Sequence, residues 1–171
     1  LNLLNPSLIA VHMTCLNQME MERLAETGVN IVHCPESNLK LASGFCPLDT
    51  LQQLNINTCL GTDGAASNND LDMFSEMRTA AQLGKAVAQD ATAVPANAAL
   101  AMATINGAKA MGLDADIGSL EVGKFADLCA VDLGSINSIP LYDVISQLVY
   151  STQASQVSHV WSGGEALLCD R

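Results

Sequence analysis

Three residues whose side chains could bind a metal ion or transfer a proton follow short apolar runs of the chain. They are His12, His33 and Asp63. Imidazole and carboxylate groups bind zinc and similar divalent cations, and they also act as general bases. Asp63 stands between Gly61 and Gly64, which leaves room for a substrate to approach closely. The pattern indicates a site for metal-assisted or acid–base chemistry.

The segments around these residues predict alternating strands and helices. The strands are predicted over residues 8–11, 29–32 and 56–60, with a helix after each of the first two. Short apolar runs that alternate with amphipathic helices are typical of βα units and a parallel sheet. The carboxyl ends of parallel strands face the same way, so we expect the three polar side chains to lie at one edge.

Local signals predict where the early helices begin and end. Asn17 with Glu20 three residues later predicts a capping box, and Gly28 fits the end of that helix. Residues 36–45 are predicted to form a loop, and residues 48–54 a short helix. These predictions place short connections between the three strands.

The chain after the third strand predicts further helices. One of Asn69, Asp70 and Asp72 is expected to cap a longer helix. Pro95 suits the first turn of another helix, whose character continues to Gly112. This stretch therefore completes the helical layer of the βα part.

The character of the sequence changes near Asp116. Residues 117–133 contain a predicted strand at 128–131, and residues 141–150 predict a helix. Two strand-like runs around Gly163–Gly164 predict a hairpin. We therefore expect a small β element in the tail, apart from the βα part.

Each candidate residue also has a simpler interpretation when it is taken alone. A single His after a strand is often a satisfied structural residue, and Asp before Gly is a common turn signal. Ser67 and Asn68 are ordinary helix-capping residue types. His159 is expected to be a strand residue without a chemical role. The register of three residues favours a site, but it does not define the reaction.

Composition limits the class of protein. The 171 residues are 49% hydrophobic and 15% charged, which is typical of a folded domain. A net charge of −11 disfavours nucleic-acid binding. The six cysteines form no CxxC pair, so we expect buried free thiols in a reducing compartment, the cytoplasm. We see neither a signal peptide nor an apolar run of membrane length, and we expect no membrane partner.

Three blocks of the sequence resemble the amidohydrolase superfamily, and most closely its 5-methylthioadenosine/S-adenosylhomocysteine deaminases. They are HCPESNLKLASG (His33–Gly44), GTDGAASNNDLDMFSEMRTA (Gly61–Ala80) and GSLEVGKFADL (Gly118–Leu128). The second block is a strong signal for the resemblance, whereas the third is strong for the superfamily and says little about the substrate. The resemblance extends over nearly the whole chain.

The resemblance implies an α/β fold, namely the C-terminal part of a (β/α)8 TIM-type barrel joined to part of a small β-sandwich. Residues 1–116 would carry barrel strands six to eight, and residues 117–171 the C-terminal portion of the sandwich. Three βα units cannot close a barrel of about 250 residues. Because the chain begins at Leu1 without Met, we expect it to be a piece of a longer protein.

The resemblance also implies roles for individual residues. Asp63 matches the Asp that binds a divalent metal ion and accepts a proton from the attacking water. His12 matches the His that stabilises the attacking oxygen, and both residues would contact the substrate. His33 would lie near the site, and Ser67 and Asn68 would shape the loop after strand eight.

The implied cofactor is Zn²⁺, or another divalent metal ion such as Fe²⁺ or Mn²⁺. The family's other metal ligands, an HxH pair and a further His, would lie before Leu1, as would a catalytic Glu. The implied reaction converts methylthioadenosine or S-adenosylhomocysteine to the inosine derivative and ammonia. Related hydrolases of guanine-type purines or triazines share much of this sequence. A non-catalytic fragment that pairs with the missing N-terminal half, or a homo-oligomer, is also consistent with it.

Overall fold

The structure of the chain, a computed structural model, describes residues 3–170. Its strands are β1 (Ile9–Val11), β2 (Asn30–His33), β3 (Thr58–Leu60), β4 (Leu128–Val131), β5 (Val157–Ser162) and β6 (Glu165–Leu168). Its α-helices are α1 (Gln18–Thr27), α2 (Pro35–Lys40), α3 (Leu48–Gln53), α4 (Met73–Ala88), α5 (Ala96–Met102), α6 (Ile105–Met111) and α7 (Val144–Tyr150). A 3-10 turn covers Ala154–Gln156.

The first three strands form a parallel sheet in the order β1-β2-β3. Val11 pairs with Val32, and His33 pairs with Leu60. The predicted alternation of strands and helices is therefore confirmed, and the carboxyl ends of the three strands lie at one edge. Strands β1 and β3 are shorter than predicted, and β2 is shifted by one residue, so His33 lies inside the strand rather than after it.

The main core lies between this sheet and the helices α1 and α3. Ile31 of β2 is fully buried, and it belongs to one cluster with Leu24 of α1 and Leu51 of α3. Each such side chain contributes about 1.5–3 kcal/mol when it leaves water. The apolar faces of these helices thus pack against the sheet, and the loops after the strands lie at the carboxyl ends of the strands.

The predicted ends of α1 are confirmed. The side chain of Asn17 accepts a hydrogen bond from the backbone N–H of Glu20, and Glu20 accepts one from the backbone N–H of Asn17, which completes the capping box. Gly28 ends the helix with φ +69°, a left-handed conformation that glycine adopts without strain. These local signals act within a few residues, which is why the sequence reveals them.

The predicted loop over residues 36–45 is wrong in its first half, because α2 occupies Pro35–Lys40. Pro35 stands in the first turn, where a missing N–H costs nothing. The side chain of Glu36 accepts hydrogen bonds from Ser75 and Thr79 of α4. These tertiary contacts stabilise a helix that is too short to be stable alone, and the local sequence does not reveal them.

The helices after the third strand agree with prediction in outline. Asp72 is the cap of α4, since its side chain accepts a hydrogen bond of 2.8 Å from the N–H of Phe74. Pro95 immediately precedes α5. The helical character to Gly112 is interrupted, because Thr104 leaves helical geometry with φ −131° and ψ −100°. The segment therefore forms two short helices, α5 and α6.

The predicted hairpin in the tail is confirmed. Strands β4, β5 and β6 form an antiparallel sheet in that order, and the β5–β6 turn contains Gly163 and Gly164. Helix α7 is three residues shorter than predicted and begins after its cap, Asp143. Val149 of α7 is buried in a cluster with Met77 of α4, so the tail also packs onto the helices of the βα part.

The expectation of buried free thiols holds for half of the cysteines. All six are free; Cys34, Cys46 and Cys59 are buried, and the remaining three, Cys15, Cys129 and Cys169, are exposed. Burial raises the pKa of the Cys34 and Cys46 thiols to about 12, so both stay protonated and behave as small apolar groups. The exposed three also lie in or near apolar runs, so the sequence pattern alone does not distinguish them from the buried three.

Candidate functional site

The structure brings His12 and Asp63 together at the carboxyl edge of the parallel sheet. His12 directly follows β1, and Asp63 lies three residues beyond the end of β3. The distance from His12 Nε2 to Asp63 Oδ2 is 3.8 Å, and both side chains are partly exposed. Both residues have positive φ, +72° for His12 and +61° for Asp63. Such backbone strain in residues other than glycine is concentrated at functional sites.

Three donors hold the carboxylate of Asp63. The hydroxyl groups of Ser37 and Ser67 donate to Oδ2 at 2.7 and 3.0 Å, and the backbone N–H of Gly64 donates to Oδ1 at 2.8 Å. These hydrogen bonds, that of Ser37 first, lower the pKa of Asp63 below its ordinary value. The group is therefore an oriented carboxylate at neutral pH, suited to bind a cation or to accept a proton.

A hydrogen bond to α2 orients the imidazole of His12. Its Nδ1 lies 2.8 Å from Oδ1 of Asn38, a residue that is only 2% exposed. With a carbonyl oxygen as partner, Nδ1 carries the proton, and Nε2 points to the side of Asp63. The ring can thus present Nε2 to a ligand bound next to the carboxylate.

His33 lies close to this pair but is buried. It is 2% exposed, and its Nδ1 has no hydrogen-bond partner among residues 3–170. Burial and, to a smaller extent, the proximity of His12 together lower the pKa of His33 to about 4. His33 is therefore neutral at pH 7, and its role near the site stays a prediction.

Asn68 is 3% exposed, and its side chain connects the loop after β3 to the interior of the protein. Its amide nitrogen donates to Glu76 Oε1 at 2.5 Å, and its Oδ1 accepts from the backbone N–H of Leu71 at 2.9 Å. Ser67 thus contacts Asp63 directly, whereas Asn68 contacts the interior. That both residues shape this loop stays a prediction.

The sequence interpretation missed Ser37, Asn38 and Glu76. Ser37 and Asn38 lie in α2, which had been predicted as a loop, so their contacts with Asp63 and His12 were not foreseen. Glu76 lies inside the GTDGAASNNDLDMFSEMRTA block and is fully buried. A glutamate at a buried helical position, four residues after the cap Asp72, was the signal that could have revealed it.

His159 has the structural surroundings that were expected. It lies in β5, where its ring stacks on that of Trp161 with centroids 5.3 Å apart. Its Nε2 is 3.2 Å from a carboxylate oxygen of Asp170. It lies in the antiparallel sheet, whereas His12 and Asp63 belong to the loops of the parallel sheet.

The carboxylate of Asp63 fits a divalent cation as one ligand. It is ionised and oriented, and it lies beside an imidazole nitrogen. Within residues 3–170, no group of three or more His, Cys, Asp or Glu side chains could hold a metal ion together. A zinc site uses three or four protein ligands, so Asp63 needs ligands beyond those that the described residues bring together.

Fold and site define an α/β protein whose polar cluster lies at the carboxyl ends of parallel strands, the usual place of an active site in such folds. The model of the amidohydrolase family matches residues 1–167. The chain belongs to the amidohydrolase family. The resemblance that the three sequence blocks carry is thereby confirmed.

Relatives with assigned names resemble the whole chain. Proteins of Saccharophagus degradans and Teredinibacter turnerae, both named 5-methylthioadenosine/S-adenosylhomocysteine deaminase, are 53% and 52% identical over 171 residues. Each alignment covers 100% of this chain, but 38% and 39% of the two relatives. The chain thus spans less than half the length of the relatives that it matches.

Solved structures show the same fold. A zinc-bound adenosine deaminase from Xanthomonas campestris is 57% identical, with a TM-score of 0.97 over 98% of this chain and 38% of that one. A triazine hydrolase variant is 25% identical with a TM-score of 0.91, covering 97% and 37%. Guanine deaminase from E. coli, at 24% identity and a TM-score of 0.88 over 99% and 40%, is similar in fold alone. In the part of the chain that the structure describes, no helix has the length and apolarity to cross a bilayer.

Proposed function

We propose that this chain is the C-terminal part of a (β/α)8 barrel, strands six to eight, joined to part of a small β-sandwich. The parallel β1-β2-β3 sheet supports the first part, and the antiparallel β4-β5-β6 sheet supports the second. The proposed division is residues 1–116 and 117–171. Helix α7 falls in the second range but packs with α4, so the proposed parts share a packed interface.

We propose that the whole protein is a metal-dependent hydrolytic deaminase of 5-methylthioadenosine and S-adenosylhomocysteine. The observation that carries this proposal is the ionised carboxylate of Asp63, held by three donors and 3.8 Å from His12. The names of the relatives, at 53% and 52% identity, support the substrate class. The reaction yields the inosine derivative and ammonia.

Asp63 would hold the metal ion together with ligands from outside this chain. Zn²⁺ is the first candidate, because the adenosine deaminase from Xanthomonas campestris contains zinc, and Fe²⁺ or Mn²⁺ are alternatives. When bound, the cation makes water a nucleophile at neutral pH. The hydrogen bonds from Ser37, Ser67 and Gly64 fix the direction in which the carboxylate points.

The two exposed side chains would handle the protons and charge of the reaction. Asp63 accepts the proton of the attacking water and passes it to the departing ammonia. His12 in its imidazolium form keeps Nδ1–H on Asn38 and donates Nε2–H to the oxygen on which negative charge develops. His33 stays neutral beneath them, and Ser67 and Asn68 hold the loop that carries Asp63.

A second candidate keeps the chemistry and changes the substrate. Triazine hydrolase shares the fold at 25% identity, and guanine deaminase shares it at 24%. Residues that would grip the ribose are expected outside this chain. The higher identity to the named methylthioadenosine/S-adenosylhomocysteine deaminases favours the first candidate.

A third candidate is a chain that acts only after pairing with a partner, either the missing N-terminal half or a second copy. The edge strand β1 exposes Ile9 and Val11, which are 39% and 45% exposed. An open apolar edge is a surface on which another strand can pair.

Free cysteines are compatible with the expected cytoplasmic location.

A substrate panel separates the first two candidates. The full-length protein, loaded with Zn²⁺, is assayed for release of ammonia from methylthioadenosine, S-adenosylhomocysteine, guanine and an aminotriazine. We expect turnover of the first two and loss of it in Asp63→Ala. Turnover of guanine or triazine alone would contradict the first candidate, and near-normal turnover by Asp63→Ala would contradict the role of the carboxylate.

A further inference from the structure

A buried carboxylic acid, Glu76, lies beneath the proposed site without touching it. Glu76 is on α4 and is 0% exposed. A carboxyl group in the interior costs free energy unless hydrogen bonds compensate it. We therefore expect Glu76 to have hydrogen-bond partners, and these partners show which segments it connects.

Both carboxyl oxygens of Glu76 accept hydrogen bonds, and the two donors come from different segments. Oε1 accepts from the side-chain amide of Asn68 at 2.5 Å, and Oε2 accepts from the backbone N–H of Glu36 at 3.3 Å. Asn68 belongs to the loop after β3, and Glu36 belongs to the first turn of α2. One side chain thus joins the loop to α2.

The two residues that Glu76 holds are neighbours in sequence of the residues that orient Asp63. Asn68 follows Ser67, and Glu36 precedes Ser37, and both serine hydroxyls donate to Asp63 Oδ2. The next residue of α2, Asn38, accepts from His12. A shift of either segment would therefore move a donor of the carboxylate.

We propose that Glu76 is a positioning residue that fixes α2 and the loop after β3 relative to each other, and through them the direction of Asp63. This inference rests on the proposed function for its catalytic consequence, but its structural part stands on the hydrogen bonds alone. An exposed tie also joins the two segments, since Lys40 Nζ donates to Ala66 O and Asn69 Oδ1. Asn68 Nδ2 also lies 3.4 Å from Glu36 Oε2, a longer contact than its bond of 2.5 Å to Glu76. Because the Lys40 contacts are exposed and the Asn68–Glu36 contact is long, we expect the bonds of Glu76 to contribute most.

Glu76→Gln is the sharpest variant, because it keeps the size of the side chain and changes one acceptor into a donor. Both partners of Glu76 are N–H donors, so an amide can satisfy only one of them. A matched control is Asn57→Ala. Asn57 immediately precedes β3, at the amino-terminal ends of the strands and away from the proposed site. Its side chain donates to Asn30 Oδ1 and Asn106 O.

The experiment measures hydrogen–deuterium exchange of residues 61–72 in the full-length protein, together with kcat and KM for methylthioadenosine. In Glu76→Gln we expect faster exchange of this segment and a kcat lower by about 10- to 100-fold, with KM little changed, because a misplaced catalytic group costs rate more than binding. In Asn57→Ala we expect a lower Tm with the exchange of residues 61–72 and kcat unchanged.

Two results would overturn the proposal. One is unchanged exchange of residues 61–72 in Glu76→Gln; the other is equal acceleration in both variants, which would show general destabilisation. If Glu76→Gln does not fold, Asn68→Asp replaces it with the same expectations, since it keeps the acceptor of the Leu71 N–H and removes the amide donor to Glu76. If the parent protein itself has no deaminase activity, the proposed function fails, and the exchange comparison alone decides the positioning role.

Discussion

The side chains of the site owe their properties to contacts that are short in space and distant in sequence. The hydroxyl group of Ser37, 26 residues earlier, donates to the carboxylate of Asp63, which orients it and lowers its pKa. His12 is oriented by Asn38, also 26 residues away. Without these partners neither side chain would be held in a fixed orientation, so the variants that test the account change the partners as well as the groups.

The pH dependence of stability tests the buried state of Glu76. Burial raises the pKa of Glu76 from 4.5 to about 7, with smaller contributions from Glu36 and Asp70. Between these values the folded state keeps a proton that the unfolded chain releases, so the free energy of unfolding falls as pH rises, by at most about 1.4 kcal/mol per pH unit. His33 has the opposite effect, because burial lowers its pKa from 6.5 to about 4.

In the parent protein these two contributions offset each other between pH 4.5 and 6.5. Glu76→Gln removes only the acid, so we expect the free energy of unfolding of this variant, relative to the parent, to increase with pH from 4.5 to 7. Urea denaturation at several pH values measures this. Stability curves of parent and variant that run parallel across the window would contradict a raised pKa for Glu76.

The contact of His12 with Asn38 is the second test at this scale. Asn38→Leu keeps the number and branching of the side-chain heavy atoms but removes the acceptor of Nδ1. We expect kcat of the full-length protein to fall by about 10-fold or more, because residues that orient a functional imidazole typically have effects of this size. Asn17→Ala is a control that costs about 1 kcal/mol of helix capping with kcat unchanged. Equal kcat in parent and Asn38→Leu would show that the hydrogen bond has no role in catalysis.

At the scale of elements, the packing of helix α4 requires a glycine. A Cβ atom at Gly84 would lie 2.5 Å from Cγ2 of Val94, a side chain that is 1% exposed. Gly107 on α6 is a helical glycine with no neighbouring atom within 4 Å of such a Cβ. The two positions form a matched pair that differs in packing alone.

Gly84→Ala is therefore expected to destabilise the protein by about 1–3 kcal/mol through overpacking. Gly107→Ala is expected to be neutral or to stabilise it by up to about 1 kcal/mol through helix propensity. Thermal unfolding of both variants measures the difference. If Gly84→Ala were as stable as Gly107→Ala, the close approach of α4 and Val94 would be wrong.

The elements that the sequence predicted are those with local or periodic causes. The capping box at Asn17, the turn at Gly28 and the hairpin at Gly163 each depend on a few adjacent residues, and each is confirmed. Helix α2 was missed because its stability comes from contacts with Ser75 and Thr79. The partners of His12 and Asp63 lie on that helix, so the site was predicted in its principal residues but not in the contacts that orient them.

At the scale of the whole molecule, the parallel sheet has three strands, and its edge strand β1 exposes apolar side chains. Asp63 is an oriented ligand without enough companions among the described residues for a zinc site. Both features are accounted for if further strands continue the sheet and bring the other ligands. The account therefore depends on what Asp63 binds in the complete protein.

Zinc content of the full-length protein is the most direct test of this claim. Parent, Asp63→Ala and the control Asp49→Ala, a change on helix α3, are dialysed against the same zinc buffer and measured by elemental analysis. The account predicts about one zinc per chain in parent and control, and loss of both zinc and deaminase activity in Asp63→Ala. Zinc content and turnover in Asp63→Ala equal to those of the parent would contradict it.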